Sequence, residues 1–376
     1  MKKVDKLIRP QIRGFEPYLP GRSIESVKRE HGLKRIIKLA SNENPLGPSA
    51  KTLSAMRKVG KTLFLYPDGA SVSLRAALAK QAKVASDRVI IGEGSDELIE
   101  MLGKAFLNPG DSIVVSEHAF IRYRMAAELM GAEIITTRMR NYTHDLSAMA
   151  SAIKENTKLL FIANPNNPTG TYNTQSELVC LLKQVGHLNE SRAVPVLIIV
   201  DEAYYEYARA LQGDYPETLA LQKAFPHLLT LRTFSKAHAL AGLRVGYAYG
   251  DPEVIRALDR VRPPFNVSTL GQAGAEASLG DQAHIQRAIR LLKVERQATL
   301  PALAKLGLPV IPSVGNFVLI DVSPRRGKDL FDSLLSRGII VRSMDEYGFP
   351  NHIRVTYGLP KENKEFLKAL TEVMHR

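Results

Sequence analysis

Between about residues 88 and 249, short runs that are apolar throughout alternate with longer stretches in which apolar residues recur every three or four positions. The short runs Arg88–Ile91, Ser112–Val115, Ala132–Thr136, Lys158–Ala163, Val194–Val200, Leu228–Leu231 and Arg244–Tyr249 read as strands. Ser95–Leu107 reads as a helix, because Leu98, Ile99, Leu102 and Phe106 fall on one face. A strand without polar alternation is covered on both sides. Strands of this kind separated by helices predict a largely parallel sheet with helices on either face.

The pattern changes after Arg262-Pro263-Pro264. One long helical stretch (about Leu270–Lys305) leads to an apolar run at Val310–Asp321, a helix at Gly327–Arg337, strands at Ile339–Arg342 and His352–Thr356, and a last helix from Lys361 towards Met374. Upstream, residues 1–40 read as an arm, with an amphipathic stretch at Ser23–His31 followed by Ile36-Ile37-Lys38-Leu39. The expected class is therefore α/β: a large domain with a mostly parallel sheet flanked by helices, plus a smaller α+β domain. The expected division is 1–44 as an arm belonging to the small domain, 45–265 as the large domain and 266–376 as the small C-terminal domain.

In open parallel sheets, ligands lie beyond the carboxyl ends of the strands. The polar clusters fall at those ends: Gly92–Asp96, His118–Tyr123, Asn164–Gly170, Asp201–Tyr204 and Thr233–Lys236. Lys236 follows two hydroxyl residues, Thr233 and Ser235, and precedes Arg244 by eight positions. A lysine amine forms Schiff bases with aldehydes, and pyridoxal 5′-phosphate (PLP) is the aldehyde cofactor that uses one. Such a site needs an acid facing the pyridinium nitrogen, and Asp201 ends a very apolar run, Val196-Leu197-Ile198-Ile199-Val200. Asn167 and Tyr204 offer donors for the phenolic oxygen. Gly94, Ser95 and Asp96 open a helix whose amides suit a phosphate, with Ser95 also a good N-cap, and Thr233, Ser235 and Arg244 add hydroxyls and a cation. Phe120 or Tyr123 is placed to stack on the ring. Taken singly, each has a plainer explanation: a solvated lysine, a helix cap, an Asn-Pro turn, a core aromatic. The ordered set is what favours the chemistry.

Composition narrows the field little. Fifty-one Lys and Arg against 38 Asp and Glu give a net charge of +13, which permits anionic ligands. The basic residues are scattered, with no nucleic-acid-binding pattern, so no nucleic-acid partner is expected. No apolar run approaches the ~20 residues that span a bilayer, so no membrane association is expected, and with no apolar segment before Arg9-Pro10 no secretory signal is expected. The lone cysteine, Cys180, fits a cytoplasmic, reducing location and reads as packing on a helix face. No metal site is expected.

These segments resemble the fold-type I, PLP-dependent class I/II aminotransferases, and more closely the histidinol-phosphate aminotransferase family. The matching motifs are Ser41-Asn42-Glu43-Asn44-Pro45-Leu46-Gly47, Tyr66-Pro67-Asp68-Gly69, Gly92-Glu93-Gly94-Ser95-Asp96-Glu97, Asn166-Asn167-Pro168-Thr169-Gly170, Asp201-Glu202-Ala203-Tyr204, Ser235-Lys236 with Arg244, and Asn351-His352-Ile353-Arg354-Val355-Thr356. The resemblance implies that Lys236 bonds the PLP aldehyde, Asp201 pairs with the ring nitrogen, and Asn167 and Tyr204 hold the phenolic oxygen. It also implies that Gly94, Ser95, Thr233, Ser235 and Arg244 hold the phosphate and that Phe120 stacks on the ring. Tyr66 would reach the phosphate of the other subunit's cofactor, implying a homodimer with shared active sites. Arg354 would receive the acceptor's carboxylate, and Arg342 would lie near the substrate phosphate. Two residues depart from the family pattern: Glu93, where Asn is expected, and His238, where an aromatic such as Phe or Tyr is usual.

The expected activity is exchange of an amino group between histidinol phosphate (or imidazole-acetol phosphate) and glutamate or 2-oxoglutarate. An aromatic amino-acid aminotransferase is the main alternative. A threonine-phosphate decarboxylase and a non-catalytic PLP-binding protein carry less weight.

Overall fold

A computed structural model describes residues 6–15, 17 and 21–375; the remainder of the expected N-terminal arm and Arg376 lie outside the described residues. The apolar runs assemble into one seven-stranded sheet. Its order is Val89–Gly92, Gly246–Tyr249, Leu228–Thr233, Leu197–Asp201, Thr157–Ala163, Ser112–Ser116 and Glu133–Thr137. Successive residues of one strand feed opposite faces. Phe161 packs with Ile99, Leu102 and Ile113 on one side, while Leu160 and Ile162 pack with Leu178, Leu181 and Val185 on the other. Burying one such side chain stabilises by about 1.5–3 kcal/mol, which favours apolar residues on both faces of a central strand such as Leu197–Asp201.

The expectation of a mostly parallel sheet holds, with one strand that differs. Gly246–Tyr249 runs antiparallel to both neighbours. It also begins two residues later than the apolar run suggests, because Arg244 has φ +52° and turns the chain before the strand starts. The single helix expected over 270–305 is two, Thr269–Leu279 and Gln282–Lys305. The break falls at Gly280-Asp281, where the Asp281 side chain caps the second helix by accepting from the His284 amide. Cys180 is exposed on the helix Gln175–Glu190 rather than packed against the core.

A second, antiparallel sheet contains Val310–Ile311, Phe317–Asp321, Phe349–Thr356 and Arg342–Met344. Its core includes Ile289, Leu292, Val318, Ile320, Ile353 and Phe366, and reaches Tyr207 and Ala237 beside the large sheet. The arm joins this part of the chain, since Ile37 and Lys38 pair in parallel with Ile339 and Ile340. Thr269–Leu279 packs instead against the helix Ala50–Val59.

Candidate active site

The carboxyl ends of the parallel strands and the inner edge of the small sheet enclose a cavity of about 260 Å3. Ser95, Asp96, Phe120, Asn167, Asp201, Tyr204, Thr233, Ser235, Lys236, Arg244, Arg342 and Arg354 all line it. Gly94 lies immediately behind, and Tyr66 is not part of the lining.

Asp201 is the last residue of its strand and is 5% exposed. Its Oδ1 accepts from the Ala203 amide at 3.0 Å, and its Oδ2 accepts from the Tyr123 hydroxyl at 2.9 Å. Burial raises the carboxyl pKa to about 6, with the Tyr123 and Ala203 hydrogen bonds opposing. Tyr123 therefore serves the acid rather than a ring face. Its own ring stacks on Phe161, with centroids 4.8 Å apart. Phe120 is half-buried in the cavity wall.

Lys236 follows the strand Leu228–Thr233, and its Nζ donates to the Ser41 carbonyl at 3.1 Å. Desolvation, then the positive charges of Arg354 and Arg244, lower its pKa to about 8. An amine so placed is a nucleophile near neutral pH, which an exposed lysine is not.

The Gly94–Phe106 helix points its N-terminus at the cavity. Its N-cap is Glu93, so Ser95 sits inside the first turn and is not the cap; the Glu97 carboxylate accepts from the Glu93 amide instead, at 2.6 Å. Gly94 has φ +75°, and a Cβ there would overlap the Arg244 guanidinium. Gly246 allows an equally close approach, since a Cβ would strike the backbone of Gly94 and Ser95. Thr233 Oγ1 donates to Ser235 Oγ at 2.9 Å and accepts from the Ser235 amide at 3.1 Å. Arg244 Nη2 reaches Asp96 Oδ2 at 3.3 Å. Helix amides, hydroxyls and a guanidinium thus converge in an arrangement that suits a phosphate monoester.

Across the cavity, Arg354 is 7% exposed. Its guanidinium donates to Asn167 Oδ1 and, at 2.7 Å, to the Ala40 carbonyl. Its Nε is buried without a hydrogen-bond partner among the described residues. Arg342 donates to Glu346. The Tyr204 hydroxyl accepts from Asn42 Nδ2 at 2.8 Å, and Asn42 Oδ1 accepts from Thr356 Oγ1 at 3.0 Å. Asn42 adopts φ +56° to make this bridge. The roles of Asn42, Thr356 and Tyr123 as supports were not read from the sequence. The available signal was an asparagine within an apolar-flanked turn, where a buried amide needs partners.

Tyr66 stands 81% exposed, stacked on Phe265 at 4.7 Å between ring centroids. His238 points away from the cavity: it is 3% exposed, with Nδ1 2.7 Å from Ser278 Oγ and Nε2 3.5 Å from Glu206. That departure packs behind the site and does not line it. Among the described residues, no group of His, Cys, Asp and Glu is arranged to hold a metal ion.

Residues 34–370 match the family described as Aminotransferase class I and II. A histidinol-phosphate aminotransferase of Anaeromyxobacter sp. (strain Fw109-5) is 43% identical over 371 residues, covering 98% of this chain and 99% of that protein. One from Moorella thermoacetica is 44% identical over 367 residues, covering 97% of this chain and 92% of that protein. Among solved structures, the histidinol-phosphate aminotransferase of Sinorhizobium meliloti in complex with pyridoxal-5′-phosphate is 28% identical, with a TM-score of 0.87 over 98% of this chain and 97% of that one. With the lysine, the buried acid and the phosphate-shaped cradle converging on one cavity, and with likeness along nearly its full length, this chain belongs to the class I and II aminotransferases and, within them, to the histidinol-phosphate aminotransferase family.

Proposed function

We propose that this enzyme uses PLP to exchange an amino group between histidinol phosphate, or imidazole-acetol phosphate, and the glutamate/2-oxoglutarate pair, in a ping-pong cycle. The observation that carries the reading is the convergence of Lys236 and the buried Asp201 on one cavity. The residues fit the cofactor. The cradle at Gly94 and Gly246 leaves no room for a Cβ, so helix amides and the Arg244 guanidinium can close on a phosphate there. Gly94, Ser95, Asp96, Thr233, Ser235 and Arg244 would hold the phosphate, Phe120 the ring face, Asn167 and Tyr204 the phenolic oxygen, and Asp201 the ring nitrogen. When bound, PLP supplies an electron sink for the substrate's Cα carbanion. Lys236 Nζ would be the group that takes up and returns the proton of the substrate Cα. Arg354 and Arg342 would orient the substrate's anionic groups.

The test is a panel of single half-reactions of the PLP-loaded protein with histidinol phosphate, phenylalanine, tyrosine and threonine phosphate. Histidinol phosphate should convert the cofactor to its amine form fastest. A clear preference for phenylalanine or tyrosine would reassign the enzyme to aromatic amino acids.

We propose also a homodimer in which Tyr66 reaches the partner's site. Support comes from a contiguous exposed patch: Leu63 is 52% exposed, Phe64 83%, Tyr66 81% and Phe265 46%. An exposed apolar patch of this kind marks a contact surface. Phe64→Asp should shift the protein towards monomer in sedimentation velocity and reduce cofactor retention; an unchanged dimer with full retention would remove this patch from the interface. We read 1–44 as an arm of the small domain, 45–265 as the large domain and 266–376 as the small domain, although Thr269–Leu279 packs on helices Ala50–Val59 and Val72–Ala82 of the large domain. Among the described residues, no helix is long and apolar enough to cross a membrane, and the lone cysteine supports a cytoplasmic location.

A further inference from the structure

Arg342 and Arg354 are direct partners in the antiparallel register of the small sheet. Directly opposed residues project to the same side, so these two cations stand next to one another at the cavity wall, an arrangement that repulsion disfavours. Each is held in a different way. Arg354 leans on neutral oxygens of Asn167 and Ala40. Arg342 has a full counter-charge: its Nε donates to Glu346 Oε1 at 3.1 Å, and its Nη2 donates to the same oxygen. Glu346 comes from the 3-10 turn Asp345–Tyr347 that immediately follows the Arg342 strand. Both side chains line the cavity and are partly shielded, at 15% exposed for Arg342 and 25% for Glu346. On the far edge of Arg342, a Cβ built on Gly21 would lie 3.3 Å from Nη1, so little space remains there. The other acids of the cavity are otherwise engaged: Glu43 with Lys38, Asp96 with Arg244 and Asp201 with Tyr123.

We propose that Glu346 is a specificity-determining residue: a resident counter-ion of Arg342 that the phosphate of a substrate must displace and that a carboxylate leaves in place. The proposal rests on the reading of Arg342 and Arg354 as the substrate-facing cations. A carboxylate matches the fork of one guanidinium, and Arg354 has an unpartnered Nε to offer it. A phosphate monoester carries about −1.5 to −2 charges and three acceptor oxygens, enough to span both arginines. Engaging Arg342 then exchanges one anion for another. Glu346 therefore weakens binding of phosphate-bearing substrate and product, and restores the neutral pair as the product leaves. One pocket can in this way receive two chemically different partners in alternate half-reactions without holding the phosphorylated one too tightly.

The test uses the PLP-loaded protein, with inorganic phosphate as the probe of the substrate site in calorimetric titration, alongside steady-state kinetics. Glu346→Gln should tighten phosphate binding about 5-fold, the upper range for a partly exposed ion pair. It should lower the KM for histidinol phosphate by a similar factor while moving the KM for glutamate less than about 2-fold. Glu346→Asp, which keeps the charge, should change these values less than Glu346→Gln. In an Arg342→Gln background, the Glu346→Gln effect on phosphate should shrink to what direct charge repulsion leaves, because the ion pair it removes is gone. Unchanged or weaker phosphate binding in Glu346→Gln, or an undiminished effect without Arg342, would overturn the proposal. Absence of histidinol-phosphate turnover by the unsubstituted protein would instead sink the reading of function, and the phosphate titrations would still report on the ion pair.

Discussion

Lys236→Ala is expected to lower transamination on the order of 10^4-fold, since in the proposed mechanism it removes both the amine that bonds the cofactor and the base that moves the proton. The fold should survive. Among the described residues the side chain makes one hydrogen bond, to the Ser41 carbonyl, and its ammonium form is disfavoured by burial. Circular dichroism and a thermal midpoint no lower than that of the unsubstituted protein would establish this. The lowered pKa adds a second readout. Below about 8 the amine is protonated and cannot attack an aldehyde. The rate of PLP capture, followed by absorbance, should therefore rise with pH through a midpoint about 8 rather than near the ordinary lysine value of 10.5. Retained turnover in Lys236→Ala would remove Lys236 from this role, and a capture midpoint near 10.5 would contradict the lowered pKa.

Asp201→Asn should cut kcat on the order of 10^3-fold, because a neutral amide cannot hold a ring nitrogen in its protonated form. Its effect on stability should depend on pH. The folded carboxyl has a pKa of about 6, above the ordinary 3.8, with burial as the largest cause. A raised folded pKa means that the native state binds the extra proton. The contribution to stability is full below about 3.8 and is lost as pH rises through about 6. Asparagine does not titrate. The thermal midpoint of cofactor-free Asp201→Asn, relative to the unsubstituted protein, should therefore climb between pH 4 and pH 8. Asparagine has only one acceptor oxygen for the two donors Tyr123 and Ala203, so a fixed penalty accompanies the substitution at every pH. A difference in midpoint that stays flat from pH 4 to pH 8 would contradict the buried, raised carboxyl.

Much of this was legible in the order of residues. An apolar run such as that ending at Asp201 is a strand buried on both faces, and the reactive groups follow from where such runs stop. Lys236, Asp201, Arg244, Asn167 and Arg354 sit at or across from those stops and do line one cavity. Direction was not legible for Gly246–Tyr249, because an all-apolar run reads the same forwards and backwards. The turn at Arg244 decides it. The helix break at Gly280-Asp281 was hidden because the apolar spacing continues across it, and only the cap chemistry of Asp281 divides the stretch. Cys180 had apolar chain neighbours, yet helical rotation places it outward. Supports such as Tyr123 for Asp201 and Asn42 for Tyr204 join residues 78 and 162 positions apart, a separation that no local pattern encodes.

The pairing of Ile37 and Lys38 with Ile339 and Ile340 has a consequence for biogenesis. At ribosomal speeds of about 5–20 residues per second, the arm waits roughly 15–60 s after its own translation before its complementary strand is made. Thr356, which fixes Asn42 and through it the Tyr204 hydroxyl, comes later still. A nascent polypeptide halted near residue 330 would carry the reactive amine but not the latch that orients its surroundings. Competence for catalysis is thus deferred to the closing moments of synthesis, and prematurely terminated products are barred from it.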